Sequence, residues 1–204
     1  MPQQRTFISP RTMHETAQGI QLTSVYDEML ARREIACTGP IEQAMAADLV
    51  QQIRQLEHED PAGAITVFVA SPGGSVSSGL AVYDALRLTS CPVRTVCLDT
   101  AASMGSIIFL AGDTRQMAPH AELMIHDPLI DQGAGGSALA LQEKSRRLME
   151  IRRALTQIMA ERTGLTPKRI QSMTAKDTYL SAERACELGF AHSIIASRKD
   201  TLHA

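Results

Sequence analysis

Apolar positions along the chain recur with two periods. Ile41, Met45, Leu49, Ile53 and Leu56 stand three or four apart, which predicts a helix with one apolar stripe running to Glu59 and stopped by Asp60-Pro61-Ala62-Gly63. Residues 65–69 (Ile-Thr-Val-Phe-Val) form a short β-prone run and predict a strand, broken by Ser71-Pro72-Gly73-Gly74. Residues 79–88 then read as a helix, 93–98 as a strand, 103–110 as a short apolar helix and 123–125 as a third strand. Strand and helix alternating in this way predict crossover units on a largely parallel sheet, an α/β fold.

Beyond a glycine-rich loop, residues 137–162 predict a long helix with Leu148, Ile151, Leu155 and Ile158 on one face. At 1.5 Å per residue it would span about 39 Å, more than a domain of this size needs, so part of it is expected to project and pack on another subunit. Thr166-Pro167 starts a further helix by the cap-then-proline rule, and Ser181 caps a last one that Gly189 ends. Residues 193–195 read as a closing strand. Residues 1–20 carry few apolar anchors and are expected to be flexible, processed or folded into loops; 21–198 read as one domain and 199–204 as a tail.

Composition narrows the possibilities. A chain of 204 residues with 44% hydrophobic content can bury a real core, roughly 70% of its extended-chain surface. A net charge of -2 without a basic cluster argues against nucleic acid. No run is long and apolar enough to span a membrane, and a cytoplasmic location is the expectation. Cys37, Cys91, Cys97 and Cys186 form no CxxC pair and read as reduced thiols, and the histidine spacing matches no zinc motif, so no cofactor or metal is expected.

Two segments invite a chemical reading. Ser71-Pro72-Gly73-Gly74 lacks the spacing of a phosphate loop, but a glycine turn leaves backbone N–H groups uncovered for a developing oxyanion. In Ala101-Ala102-Ser103-Met104-Gly105, small neighbours let the Ser103 hydroxyl approach a carbonyl at a strand-to-helix junction. The competing reading makes Ser103 only a helix cap. His126 ends the third strand, and strand ends on one side of a parallel sheet gather residues distant in sequence. Asp99, Asp113, Asp127, Asp131 and Asp177 all qualify by chemistry as the acid that orients the imidazole, and spacing does not choose among them.

Four segments in order resemble the Clp protease proteolytic subunit family, ClpP: Ser-Pro-Gly-Gly at 71–74, Ala-Ala-Ser-Met-Gly at 101–105, Met-Ile-His-Asp-Pro-Leu at 124–129 and Lys-Asp-Thr-Tyr-Leu-Ser-Ala at 176–182. The resemblance spans residues 26 to 195. It implies a crotonase-related fold with a projecting head, Ser103 as nucleophile, His126 as base and Asp177 as acid. It implies oxyanion donors at Gly74 and Met104, and a peptide held in extended form against Gly73, Ser75, Val76 and Leu129. It also implies heptameric rings stacked as a tetradecamer, and a hexameric Clp-type AAA+ unfoldase that spends ATP to feed unfolded proteins in.

The chain departs from the family pattern in four places. Lys176 replaces the arginine that ties ring to ring, residues 130–136 differ from the usual glycine pattern, the stretch between Ser103 and His126 is slightly shorter, and Thr66 and Phe68 replace tyrosines of the unfoldase pocket. They bear on ring-ring contact, independent activity and unfoldase docking and not on the triad, and a paralogue that works best in a mixed barrel with a second proteolytic subunit is one form the family member could take. A structural subunit with little catalysis, and a crotonase-type acyl-CoA enzyme, are the alternatives. The intact serine, histidine and aspartate set speaks against both.

Overall fold

The computed structural model describes residues 10–16, 19–129 and 136–196. Strands β1 (Arg11–Thr16) and β2 (Gly19–Ser24) form an antiparallel hairpin of their own. Helix α1 (Val25–Ala31) and strand β3 (Glu34–Thr38) follow, then α2 (Gln43–Glu59), β4 (Ile65–Ser71), α3 (Val76–Leu88), β5 (Val93–Ala102) and α4 (Met104–Leu110). Strands β6 (Thr114–Met117) and β7 (Glu122–Ile125) precede the long helix α5 (Ala138–Thr163) and α6 (Pro167–Thr174), and β8 (Thr178–Ser181), α7 (Ala182–Glu187) and β9 (Ser193–Ile194) complete the order. The expected flexible lead is thus partly the β1–β2 hairpin, which leaves Met13, Ile20 and Leu22 exposed; residues 1–9, 17–18 and 199–204 lie outside the described residues.

The main sheet has seven strands, β3-β4-β5-β6-β9 in order, with β7 beside β5 and β8 beside β7. All its pairings are parallel except β7–β8. The ten-residue β5 is long enough to serve two neighbours on one edge: Arg94–Cys97 pairs with β6, and Thr100–Ala102 pairs with β7. The sheet therefore forks near Asp99. The outer branch, β7 with its antiparallel partner β8, runs alongside the end of β5 where Ser103 stands.

Helices cover the sheet as the stripes require. In α2, Ala46, Leu49, Ile53 and Leu56 are buried, and each large side chain so placed contributes about 1.5–3 kcal/mol. Ile41, which shares that spacing, is instead buried in a one-residue parallel bridge to Gly74. All seven residues of α4 are buried. Its close approach to β4 needs Gly105, where an added Cβ would stand 3.0 Å from the Ser71 carbonyl. Of the 26 residues of α5, only Leu155, Thr156, Met159 and Ala160 in its second half are buried, and Leu139 and Met149 in the first half face solvent.

Buried charge ties the helix ends together. Arg115 on β6, 3% exposed, donates to the carbonyls of Phe190, Gly112, Arg162 and Gly189 at 2.7–3.2 Å. Arg162 in turn donates to Leu110 and Gly112 carbonyls at 2.8 and 2.6 Å, closing the C-terminal end of α4. Burial, reinforced by Arg162 and Arg87, pushes the Arg115 guanidinium down to about 10.

Candidate active site

Ser103 sits between β5 and α4 at φ 53, ψ −119, one of two non-glycine residues with positive φ among those described. Such a conformation costs about 1–3 kcal/mol and persists only where the surroundings impose it. Here they do: the Ser103 N–H donates to the Met124 carbonyl of β7 at 2.8 Å, and its own carbonyl accepts from Ser106 N–H and Oγ at 3.0 and 2.7 Å. The helix-cap reading fails on geometry, because the Ser103 side chain makes no capping hydrogen bond to α4. Its Oγ instead lies 2.8 Å from His126 Nε2.

His126 follows directly on β7, and Asp177 directly precedes β8. The antiparallel register ends on the pair Ile125 and Thr178, so the next position on each strand places His126 and Asp177 opposite one another. Their side chains approach to 3.8 Å between Nδ1 and Oδ1, beyond hydrogen-bond reach. The histidine side chain is 15% exposed and the aspartate 62%, so the histidine–aspartate leg is open on its solvent side.

The Ser-Pro-Gly-Gly turn leans on the same spot. Ser71, buried, donates its hydroxyl to the Gly39 carbonyl at 2.7 Å and accepts from Gly73 N–H at 3.1 Å. Gly73 (φ 97) packs so closely that an added Cβ would meet Ser103 Cβ at 2.7 Å, the Ala102 carbonyl at 2.9 Å and the Met104 nitrogen at 3.1 Å. Gly73 O and Ser75 N–H bond Ile41, leaving Gly74 between them; among the described residues neither the Gly74 nor the Met104 N–H donates to a protein acceptor. Both groups border a cleft of about 530 Å³ that also takes in Ser75, Val76, Ser103, His126, Leu129 and, on its apolar side, Ile107, Ile125, Leu155 and Met159.

Of the other candidate acids, Asp99 lies exposed within β5, where the sheet forks. Asp113 pairs with Arg87 at 2.7 Å; burial alone would raise its carboxyl, but the Val93 N–H and Arg87 hold it below the usual range. Asp127 points to Arg152 and Thr174. Asp131, with the variant glycine loop up to residue 135, lies outside the described residues. Lys176 is exposed on the segment between α6 and β8.

All four cysteines are free. Burial pushes the thiols of Cys37 and Cys97 up to about 11 and 12. Among the described residues no group of three or more His, Cys, Asp or Glu is arranged to hold a metal ion, and no helix is long and apolar enough to cross a membrane. Pattern reading took Ser71 only as part of the glycine turn and Asp127 only as a candidate acid; it missed the hydrogen bonds by which Ser71 shapes that turn and the pairing of Asp127 with Arg152 beside the histidine. Neither carries a periodicity signal.

A serine at positive φ on a strand-to-helix turn stands within hydrogen-bond reach of a histidine at a neighbouring strand end, an arrangement of the kind that serine hydrolases use. A family model described as Clp protease matches residues 17–198, most of the chain. The chain belongs to the Clp protease family.

Proposed function

We propose that the chain is the proteolytic subunit of an ATP-dependent Clp protease, a serine endopeptidase that cleaves unfolded polypeptides. The observation that carries this is the 2.8 Å approach of Ser103 Oγ to His126 Nε2, with the serine held at positive φ. In the reading, the Nδ1–H tautomer of His126 leaves Nε2 free to accept the Ser103 proton as Oγ attacks the peptide carbonyl. The imidazolium then returns that proton to the leaving amine, and water, activated by the same histidine, hydrolyses the acyl-enzyme.

Gly74 and Met104 N–H groups are the donors to the oxyanion, being uncommitted and on the border of the serine's cleft. Gly73, Ser75 and Val76 on one side and Leu129 on the other hold the peptide as an added strand, with apolar side chains entering the pocket beside Met159. Asp177 orients His126 once the 3.8 Å gap closes, a tightening common on going from free enzyme to complex.

The reading extends to a crotonase-related fold and to heptameric rings stacked as a tetradecamer, in which the exposed first half of α5 and Lys176 face the opposite ring. It includes a hexameric AAA+ unfoldase as partner, mixed rings with a second proteolytic paralogue, and a cytoplasmic location. The test is labelling with a fluorophosphonate probe, on the chain alone and mixed with a second proteolytic subunit where one is encoded. Labelling of Ser103 that vanishes in Ser103→Ala is expected. A wild-type particle that takes up no probe in either setting would overturn the reading.

A further inference from the structure

We infer that Asp127 is a positioning residue: through Arg152 and Thr174 it clamps the segment carrying the base to helix α5 and to the segment carrying the acid. The inference rests on the peptidase reading for its function, but its geometry stands by itself. The β7–β8 ladder stops at Ile125 and Thr178, one residue short of His126 and Asp177 on either side. Beyond that pair the sheet no longer holds the chain. Asp127 is where it is caught again.

Three hydrogen bonds converge there. The Asp127 N–H donates to the Thr174 carbonyl at 2.9 Å, Thr174 Oγ1 donates to Asp127 Oδ1 at 2.9 Å, and Arg152 Nε donates to Oδ2 at 2.8 Å. Thr174, the last residue of α6, is buried and stands three positions before Asp177, so one carboxylate spans the approaches to both triad partners. Pro128 follows with its φ fixed, and His126 is left between a sheet pair on one side and a pinned residue on the other. The Cα and Cβ that aim the imidazole at Ser103 therefore have little freedom.

Arg152 gives the clamp its second reach. It belongs to α5 one turn before Leu155, where the helix passes from its exposed half to its buried half. Its side chain is 25% exposed and that of Asp127 35%, so the pair is screened less than a surface ion pair and directional through Nε. A shift of α5 at this point is transmitted to the residue next to the base with no intervening side chain.

The experiment compares Asp127→Ala, Asp127→Asn, Thr174→Val, Arg152→Ala and the Asp127→Ala/Arg152→Ala double variant in the particle that labels best for wild type. The rate of fluorophosphonate labelling is measured beside the assembled mass. Asp127→Ala is expected to slow labelling by about tenfold to a hundredfold at unchanged mass, Asp127→Asn to recover most of the rate, and the double variant to be no slower than Asp127→Ala, since an imidazole displaced by a fraction of an ångström loses its attack geometry. Labelling at the wild-type rate in Asp127→Ala, or losses that multiply in the double variant, would overturn the clamp.

If Asp127→Ala does not assemble, Thr174→Val and Arg152→Ala carry the same comparison, each expected to slow labelling severalfold. A crystal structure of whichever variant assembles reads the clamp without turnover. An imidazole no longer within hydrogen-bond distance of Ser103 supports it, and one unmoved refutes it. A wild-type chain that never labels would count against the peptidase reading, while that structure still decides the clamp.

Discussion

Gly73→Ala separates the two ways a glycine can matter at this site. The methyl group would stand 2.7 Å from Ser103 Cβ, where ordinary contact begins at 3.4 Å, so the turn and the serine must part by about 0.7 Å. The obstacles behind it, the Ala102 carbonyl and the Met104 nitrogen, are main chain and do not rotate away. The φ of 97 adds strain of about 1–3 kcal/mol. On the proposed peptidase function, a misplacement of this size is expected to cost on the order of 10²-fold in rate, since it shifts the serine and the Met104 N–H relative to one another.

The assay is kcat/KM on a short fluorogenic peptide beside urea unfolding, with Gly164→Ala as the control. Gly164 has φ 77 but nothing within 4 Å of an added Cβ, so that variant carries strain without collision. It is expected to lose about 1 kcal/mol of stability and no activity. Gly73→Ala with activity within threefold of wild type would show that the turn does not set the position of Ser103.

Three further outcomes are expected. Arg115→Met takes the side-chain donor from the carbonyls of Phe190, Arg162 and Gly189, while Gly112 keeps Arg162, and should cost about 3–5 kcal/mol in denaturant unfolding, with Arg115→Lys in between. Burial, with Arg115 and Arg162 nearby, lowers the pKa of His192, whose Nδ1 accepts from the Arg115 N–H at 3.2 Å. The unfolded chain thus binds a proton that the fold refuses: the contribution of His192 is present above pH 6.5 and lost as pH falls through its lowered folded value. The stability difference between wild type and His192→Asn, followed from pH 8 to pH 4.5, should change in that sense and at that end. Ellman's reagent at pH 8 should leave Cys37 and Cys97 unmodified until urea unfolds the chain, because burial holds both thiols protonated.

Long periodic segments were legible because burial of one face is written in residue order. The stripes of α2 and α5, the apolar strands β4 and β5, the Thr166-Pro167 helix start and the left-handed Gly189 all follow local rules, and each is present in the fold. Other strands were not legible. In β3 only Ile35 and Cys37 are buried, and β8 buries Leu180 alone, too few positions to show a period. β6 hides a buried arginine where the pattern asks for an apolar residue, and only the helix ends that converge on Arg115 explain it.

The same division runs through the candidate site. Ser103 and His126 could be singled out as residues at strand ends, since a crossover sheet brings such ends to one side. Asp177 could not, because its place opposite His126 comes from one antiparallel pairing in an otherwise parallel sheet, made between segments about fifty residues apart. The strained φ of Ser103 and the clamp at Asp127 were likewise decided only in three dimensions. Sequence alone determined which chemical groups exist and on which local elements they ride; tertiary structure decided which of several aspartates faces the histidine, because that depends on strand register and not on spacing along the chain.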